Sequence, residues 1–208
     1  MYDFDGFMGF TFDMHLMIFI FTYLIIFGIY YLLTLKKQGK TFNERTVINA
    51  FFIFYLLSLF RLVFLPLDVW SPEWRDILWH TQNISFSNFY NIIPFYSIRT
   101  TFETALPLFI LRGVGGNLLL LLPLPIFIGL LSNKMTPQKS LLIGIYTSLF
   151  IEIIQFILNI VTWYPNRLAC IDDIILNTFG AFIGGGIYIK LPFLFQKPIN
   201  CIYKFMTS

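Results

Sequence analysis

Five stretches of about 20 apolar residues punctuate this chain, at roughly 15–35, 47–66, 114–131, 141–161 and 172–195, and each is long enough to cross the hydrocarbon core of a bilayer. Hydrocarbon offers a backbone no hydrogen-bond partners, so each stretch must be a helix that satisfies its own amides and carbonyls. Composition agrees: the chain is 57% hydrophobic and 12% charged with a mean hydropathy of +0.75, whereas a soluble domain carries about 25% charge. The expected fold class is an all-α, polytopic integral membrane helical bundle of about five transmembrane helices, with residues 1–208 forming a single membrane domain. The N-terminus carries Asp3, Asp5 and Asp13 without a Lys or Arg, unlike a cleavable signal peptide, so the first helix is expected to be retained.

Charge placement orients the bundle. Lys36, Lys37, Lys40 and Arg45 follow the first segment, Lys134 and Lys139 follow the third, and Lys190, Lys197 and Lys204 close the chain. These nine of the fourteen basic residues fall on one side, while Arg75, Arg99, Arg112 and Arg167 fall on the other. The positive-inside rule then places the N-terminus outside and the C-terminus in the cytoplasm. All four tryptophans (Trp70, Trp74, Trp79 and Trp163) also lie in segments assigned outside, where indole rings favour the headgroup level. Cys170 maps outside and Cys201 inside, so both thiols are expected to be free. The external connection 67–113 is punctuated by Pro72, Pro94 and Pro107 but stays rich in aromatic and aliphatic residues. A structureless loop of that length is uncommon, so interfacial or re-entrant segments are expected there. A net charge of +3 is too small and too dispersed for a nucleic-acid partner.

The informative residues are those that lipid should exclude. Arg61, Asn117, Glu152, Gln155, Asp172, Asp173 and Asn177 sit within or at the ends of the segments, where a charge facing lipid costs about 2.5–3.5 kcal/mol near a helix centre. Glu152 lies about a dozen residues into the fourth segment, hence ~18 Å deep from the cytoplasmic side of a core ~30 Å thick. All seven map to the outer half of the bilayer, which implies a polar cavity open to the outer leaflet. Glu152 and Gln155 share a helix face at i,i+3, and Asp173, Asn177, Gly180 and Gly184 run along one stripe of the fifth segment. Gly180-xxx-Gly184 permits close approach, expected against the fourth segment. Pro123 and Pro125 are expected to kink the third segment and free backbone carbonyls. Two structural roles compete with a functional one: Asp172 and Asp173 also suit the N-terminus of a helix, and Arg61 and Glu152 can form an ion pair that only holds the bundle together.

These residues resemble the signature of the VanZ-like family. Glu152-xx-Gln155, Arg167 and Ile171-Asp172-Asp173-xxx-Asn177-xx-Gly180-xxx-Gly184 resemble its C-terminal signature, and Gly116-Asn117-xxxxx-Pro123 its preceding helix. Asn91-Ile92-Ile93-Pro94-Phe95 is similar to an external Asn-Leu-Ile-Pro-Phe element, and Arg61 followed by Leu65-Pro66 to the end of an early helix. The resemblance spans about 55–190, leaving the transmembrane helix at about 15–35 outside it. Two positions depart from the pattern: Cys170 stands where an additional Asp is frequent, and Pro125 where a Gly is usual. The resemblance implies a multi-pass protein of the bacterial plasma membrane; some relatives lower susceptibility to teicoplanin, a glycopeptide with a lipid tail.

Three function classes follow. In the first, the outer-leaflet cavity binds or modifies a membrane lipid, a lipid-linked cell-envelope component or a lipoglycopeptide, with Arg61, Asn117, Glu152, Gln155, Arg167, Asp173 and Asn177 as ligand-binding residues. Arginine, Arg112 included, would meet the anionic headgroup. In the second, the protein is an intramembrane enzyme in which Glu152 with Asp172 or Asp173 serves as acid and base, or as metal ligands, on a lipid substrate. No Ser-His-Asp, HExxH or P-loop pattern and no Cys or His cluster occurs, so no cofactor is expected. His15 and His80 read as interfacial. A transporter is disfavoured because five helices without a repeat do not form inverted halves.

Overall fold

A computed structural model of the protein describes residues 9–38, 44–132 and 134–190. Asp3, Asp5, Lys40, Lys197, Lys204, Cys201 and the last residues of the expected fifth segment lie outside the described residues. The first two long helices are α1 (Leu16–Gln38) and α2 (Glu44–Phe64). Glu44 complements the amide end of α2, and the helix ends ahead of Leu65-Pro66, where proline cannot continue it. A strand β1 (Gly9–Phe12) pairs antiparallel with β2 (Leu67–Trp70), joining the start of the chain to the end of α2.

The connection after α2 is ordered, as its composition predicts. It contains α3 (Pro72–Thr81), a 3-10 turn (Phe86–Asn88), β3 (Tyr90–Asn91), α4 (Tyr96–Thr104) and α5 (Pro107–Ile110). Local chemistry starts α3: Ser71 Oγ accepts the Trp74 amide at 3.4 Å, and Pro72 occupies the first turn, where its missing N–H leaves nothing unsatisfied. The third apolar segment is not one regular helix. A π turn (Leu111–Gly115) leads into α6 (Gly116–Leu120), and the chain breaks at 121–122 before α7 (Pro123–Ser132), where the prolines predict a kink.

The fourth segment is α8 (Pro137–Thr162), capped by Thr136, whose Oγ1 accepts the Lys139 amide at 3.2 Å. A two-residue strand β4 (Ala169–Cys170) pairs parallel with β3 and leads into α9 (Ile171–Lys190). Four helical stretches are long and apolar enough to cross a membrane: Leu16–Lys36, Glu44–Phe64, Pro107–Ser132 and Pro137–Thr162. The expected fifth segment forms a helix of 20 residues but falls outside that set, because its polar residues and glycines dilute its apolar content. The two small strand pairs add to the expected all-α class without changing it.

The four segments of the family-like region meet around Val63, Leu121, Leu124, Ile151 and Ala181. Within this core α9 packs most extensively on α8, then on α7 and α6. The Gly180-xxx-Gly184 pair does not receive the fourth segment as expected. A side-chain carbon at Gly180 would collide with the Leu118 carbonyl oxygen, and one at Gly184 with that of Leu122, so the pair seats the broken third segment. The break explains the difference: it turns backbone carbonyls outward, and only a glycine surface lets them approach a neighbouring helix. The fourth segment meets α9 through its own small residues. Gly144 lies against Thr178 and Ala181, and Ser140 Oγ donates to the Ala181 carbonyl at 2.6 Å beside Gly185.

Candidate functional site

One face of α8 supplies the centre of the site. Ser140, Gly144, Ser148 and Glu152 follow at four-residue steps, and Gln155, Asn159 and Thr162 continue the stripe; all seven are buried. Polar and small side chains go inward while Ile153, Ile157 and Val161 stay exposed, the arrangement expected of a helix whose other faces meet lipid.

At the end of the bundle nearest β3 and β4, a cavity of about 490 Å³ opens between α2, α6, α8 and α9. It brings together Asn117, Glu152, Gln155, Arg167, Asp173 and Asn177, six of the seven residues assigned to ligand binding from sequence. Arg112 joins them, and Leu62, Val63 and Leu120 supply apolar wall. Arg61 is not among the lining residues, and it forms no ion pair with Glu152. One position along α2 decides this: Leu62 and Val63 turn toward the cavity and Arg61 does not.

The polar groups are held by identifiable bonds. Glu152 Oε2 accepts the Cys170 amide at 2.7 Å, and Asn117 Nδ2 donates to Asp173 Oδ1 at 2.5 Å. Gln155 Nε2 donates to the Val63 carbonyl at 3.1 Å and an Arg167 guanidinium nitrogen to the Leu65 carbonyl at 2.9 Å. Both satisfy carbonyls that the C-terminus of α2 leaves open. Asn177 Nδ2 donates to Ser148 Oγ at 3.2 Å, whereas Asn177 Oδ1 is buried without a partner. Among the described residues neither Arg112 nor Arg167 pairs with either cavity carboxylate, so charges of both signs line one space without cancelling at contact.

Asp172 has a different task. It is fully buried, its two carboxylate oxygens accept the Phe95 amide at 2.5 Å and the Ile98 amide at 3.1 Å, and it is not among the residues lining the cavity. Its acceptor capacity anchors the first turn of α4, whereas the sequence had offered it the N-terminus of its own helix, α9. Phe95 sits there in the left-handed region at φ 64°, so the anchored turn is one the chain would not hold unaided. Among the described residues no group of three or more His, Cys, Asp or Glu side chains is placed to hold a metal ion.

The sequence reading missed Asn159. Its amide donates to the Phe89 and Arg167 carbonyls at 3.3 and 2.5 Å, and its Oδ1 accepts the Arg167 amide at 3.3 Å, which fixes the loop that carries Arg167. Its signal was the four-residue step from Gln155. Glu152 also borders an apolar groove of about 450 Å³ walled by Phe86, Tyr90, Ile153, Phe156 and Ile174, with Cys170 at its edge. Burial pushes the Cys170 thiol above its ordinary pKa, and Ser97 Oγ lies 3.2 Å from the sulfur.

Long apolar helices around a polar cavity define a helical integral membrane protein with a chamber lined by polar side chains at one end of its bundle. Residues 52–196 match the VanZ/LLP1 family, and the chain belongs to that family. The match begins inside α2 and leaves α1 outside it. No curated protein and no solved structure matches the chain.

Proposed function

We propose that this VanZ-like membrane protein resides in the bacterial plasma membrane and recognises the headgroup of an amphiphile: a membrane lipid, a lipid-linked envelope component or a lipidated glycopeptide. In this reading α9 is the fifth span, the N-terminus is outside, and the cavity opens to the outer leaflet. The observation that carries the proposal is the cavity itself, where Glu152, Asp173, Arg112 and Arg167 line one space without ion pairs among them. Charged groups left unpaired at membrane depth are costly and mark ligand sites more often than structural ones. The exposed side chain of Leu62 at the cavity wall lets hydrocarbon remain in the bilayer while a headgroup enters.

The orientation is tested by cysteine labelling in intact cells. A cysteine at Asp76 should react with an impermeant maleimide, and one at Lys36 only after permeabilisation; the reverse pattern would invert the assignment. The function is tested by susceptibility to teicoplanin beside vancomycin, in cells expressing wild type or Glu152→Gln at matched membrane levels. The expected result is protection against teicoplanin alone, reduced but not abolished in the variant; no protection by wild type removes the resistance role.

A second reading, an intramembrane enzyme acting on a lipid, is favoured by one observation. Glu152 borders both the polar cavity and the apolar groove, so a carboxyl group lies where a headgroup and a chain would meet. Asp173, not Asp172, is then its partner in acid/base work. Glu152→Gln would abolish turnover in an enzyme, whereas a binding protein would keep partial activity because the amide still hydrogen bonds.

A further inference from the structure

We infer that the cavity selects a zwitterionic headgroup, a primary ammonium joined to a phosphate as in phosphatidylethanolamine, with the phosphate at the mouth and the ammonium on the floor. The inference rests on the binding reading above and narrows its ligand class.

The order of charges carries the argument. Arg112 and Arg167 are exposed, whereas Glu152 and Asn177 are buried and Asp173 is only partly accessible. Cations therefore stand at the entrance and acceptor oxygens lie behind them. Each floor residue keeps an oxygen that takes no hydrogen bond from the described residues: Glu152 Oε1, because Cys170 binds Oε2; Asp173 Oδ2, because Asn117 binds Oδ1; and Asn177 Oδ1, which is buried and unpartnered. Gln155 adds its own carbonyl oxygen, since its amide nitrogen is engaged by Val63.

A floor made of acceptors calls for a ligand made of donors. An alkylammonium group carries three N–H donors and no acceptor, and it relieves the unpartnered Asn177 oxygen at the same time as it offsets both carboxylates. A free cation would have to pass two guanidinium groups to reach that floor. A group bearing its own phosphate would not, because the phosphate accepts the guanidinium donors as the ammonium moves inward. A headgroup with phosphate alone leaves the floor unsatisfied, and a quaternary ammonium brings the charge but no donor.

The test uses purified full-length protein in detergent micelles, titrated with short-chain phosphatidylethanolamine, phosphatidylglycerol or phosphatidylcholine while the unfolding midpoint is followed. A ligand that binds only the native state stabilises it by an amount that grows as the logarithm of 1 + [L]/Kd, so the midpoint shift at a given concentration reports affinity. Phosphatidylethanolamine should reach a given midpoint shift at about a tenfold lower concentration than either other lipid. Glu152→Gln and Asp173→Asn should each erase that preference, and Arg112→Gln should weaken all three lipids without reordering them. Equal saturation by the three lipids in wild type overturns the zwitterion assignment and leaves amphiphile binding intact. No stabilisation by any of them overturns the zwitterion assignment as well, and the wider binding reading is then decided by the teicoplanin test above. Soluble O-phosphoethanolamine forms the last arm: action at the same concentration as the lipid would overturn a lipid source for the headgroup.

Discussion

The first and last described helices, α1 and α9, are close in length and opposite in design. In α1 the apolar side chains face outward; Met17 is 85% exposed and Phe19 is buried. In α9 the buried residues are Asp172, Asn177, Gly180, Ala181, Gly184 and Gly185, none of them a large apolar side chain. In lipid a leucine gains nothing by turning inward, so burial sorts residues by size and polarity instead of by hydrophobicity. A helix is built into the bundle by what it cannot show to hydrocarbon, and α1 carries little of that kind.

Substitutions that reverse these roles break the comparison most sharply. Gly180→Leu should cost more than about 3 kcal/mol, because the new side chain meets the Leu118 backbone and cannot be accommodated by a rotamer change. Gly28→Leu in α1, with nothing within 4 Å of the added carbon, should stay within about 0.5 kcal/mol of wild type. Equal loss of detergent-stable folded protein from both would refute the contrast. Next in size is Asp172→Ala, which strips the Phe95 and Ile98 amides of their acceptor and should cost about 2–3 kcal/mol. Hydrogen exchange localises that effect, with the first turn of α4 losing protection while α8 keeps it. The smallest effect sharpens the picture of α1. Asn49 on α2 donates to the Tyr30 hydroxyl of α1 at 2.6 Å, and a double-mutant cycle of Asn49→Leu with Tyr30→Phe should return a coupling of about 0.6 kcal/mol. A coupling several times larger would show α1 to be as firmly built in as α9.

Much of this was legible in the sequence because membrane helices announce themselves by length. The first, second and fourth segments lie within two to four residues of their helices at nearly every end, and the prolines at 123 and 125 mark the break in the third. The co-location of Asn117, Glu152, Gln155, Asp173 and Asn177 followed from depth alone, since residues at one level on adjoining helices have few other places to go. Rotation about each helix axis was not legible. Arg61 and Leu62 differ by one position, and nothing within α2 says which of them meets the cavity. The partner of Gly180 depended on which helix had carbonyls to offer, a property of the break and not of the glycines. Asp172 was ambiguous for a third reason: the amides it binds lie more than seventy residues earlier, in a turn whose backbone only the whole fold determines.

The two strand pairs, β1 with β2 and β3 with β4, form a cap at one end of the bundle that also constrains how the protein is made. Asn166 accepts the Asp68 amide at 2.6 Å and donates to the Asp68 carbonyl at 3.2 Å across 98 residues, and β3 cannot pair until β4 has been synthesised. The segments that close this cap are therefore separated by nearly half the chain and by all of α8. The cap can therefore close only after the last turn of α8 has been synthesised. A nascent chain arrested before residue 166 would carry the first four apolar segments but neither α9 nor a finished chamber.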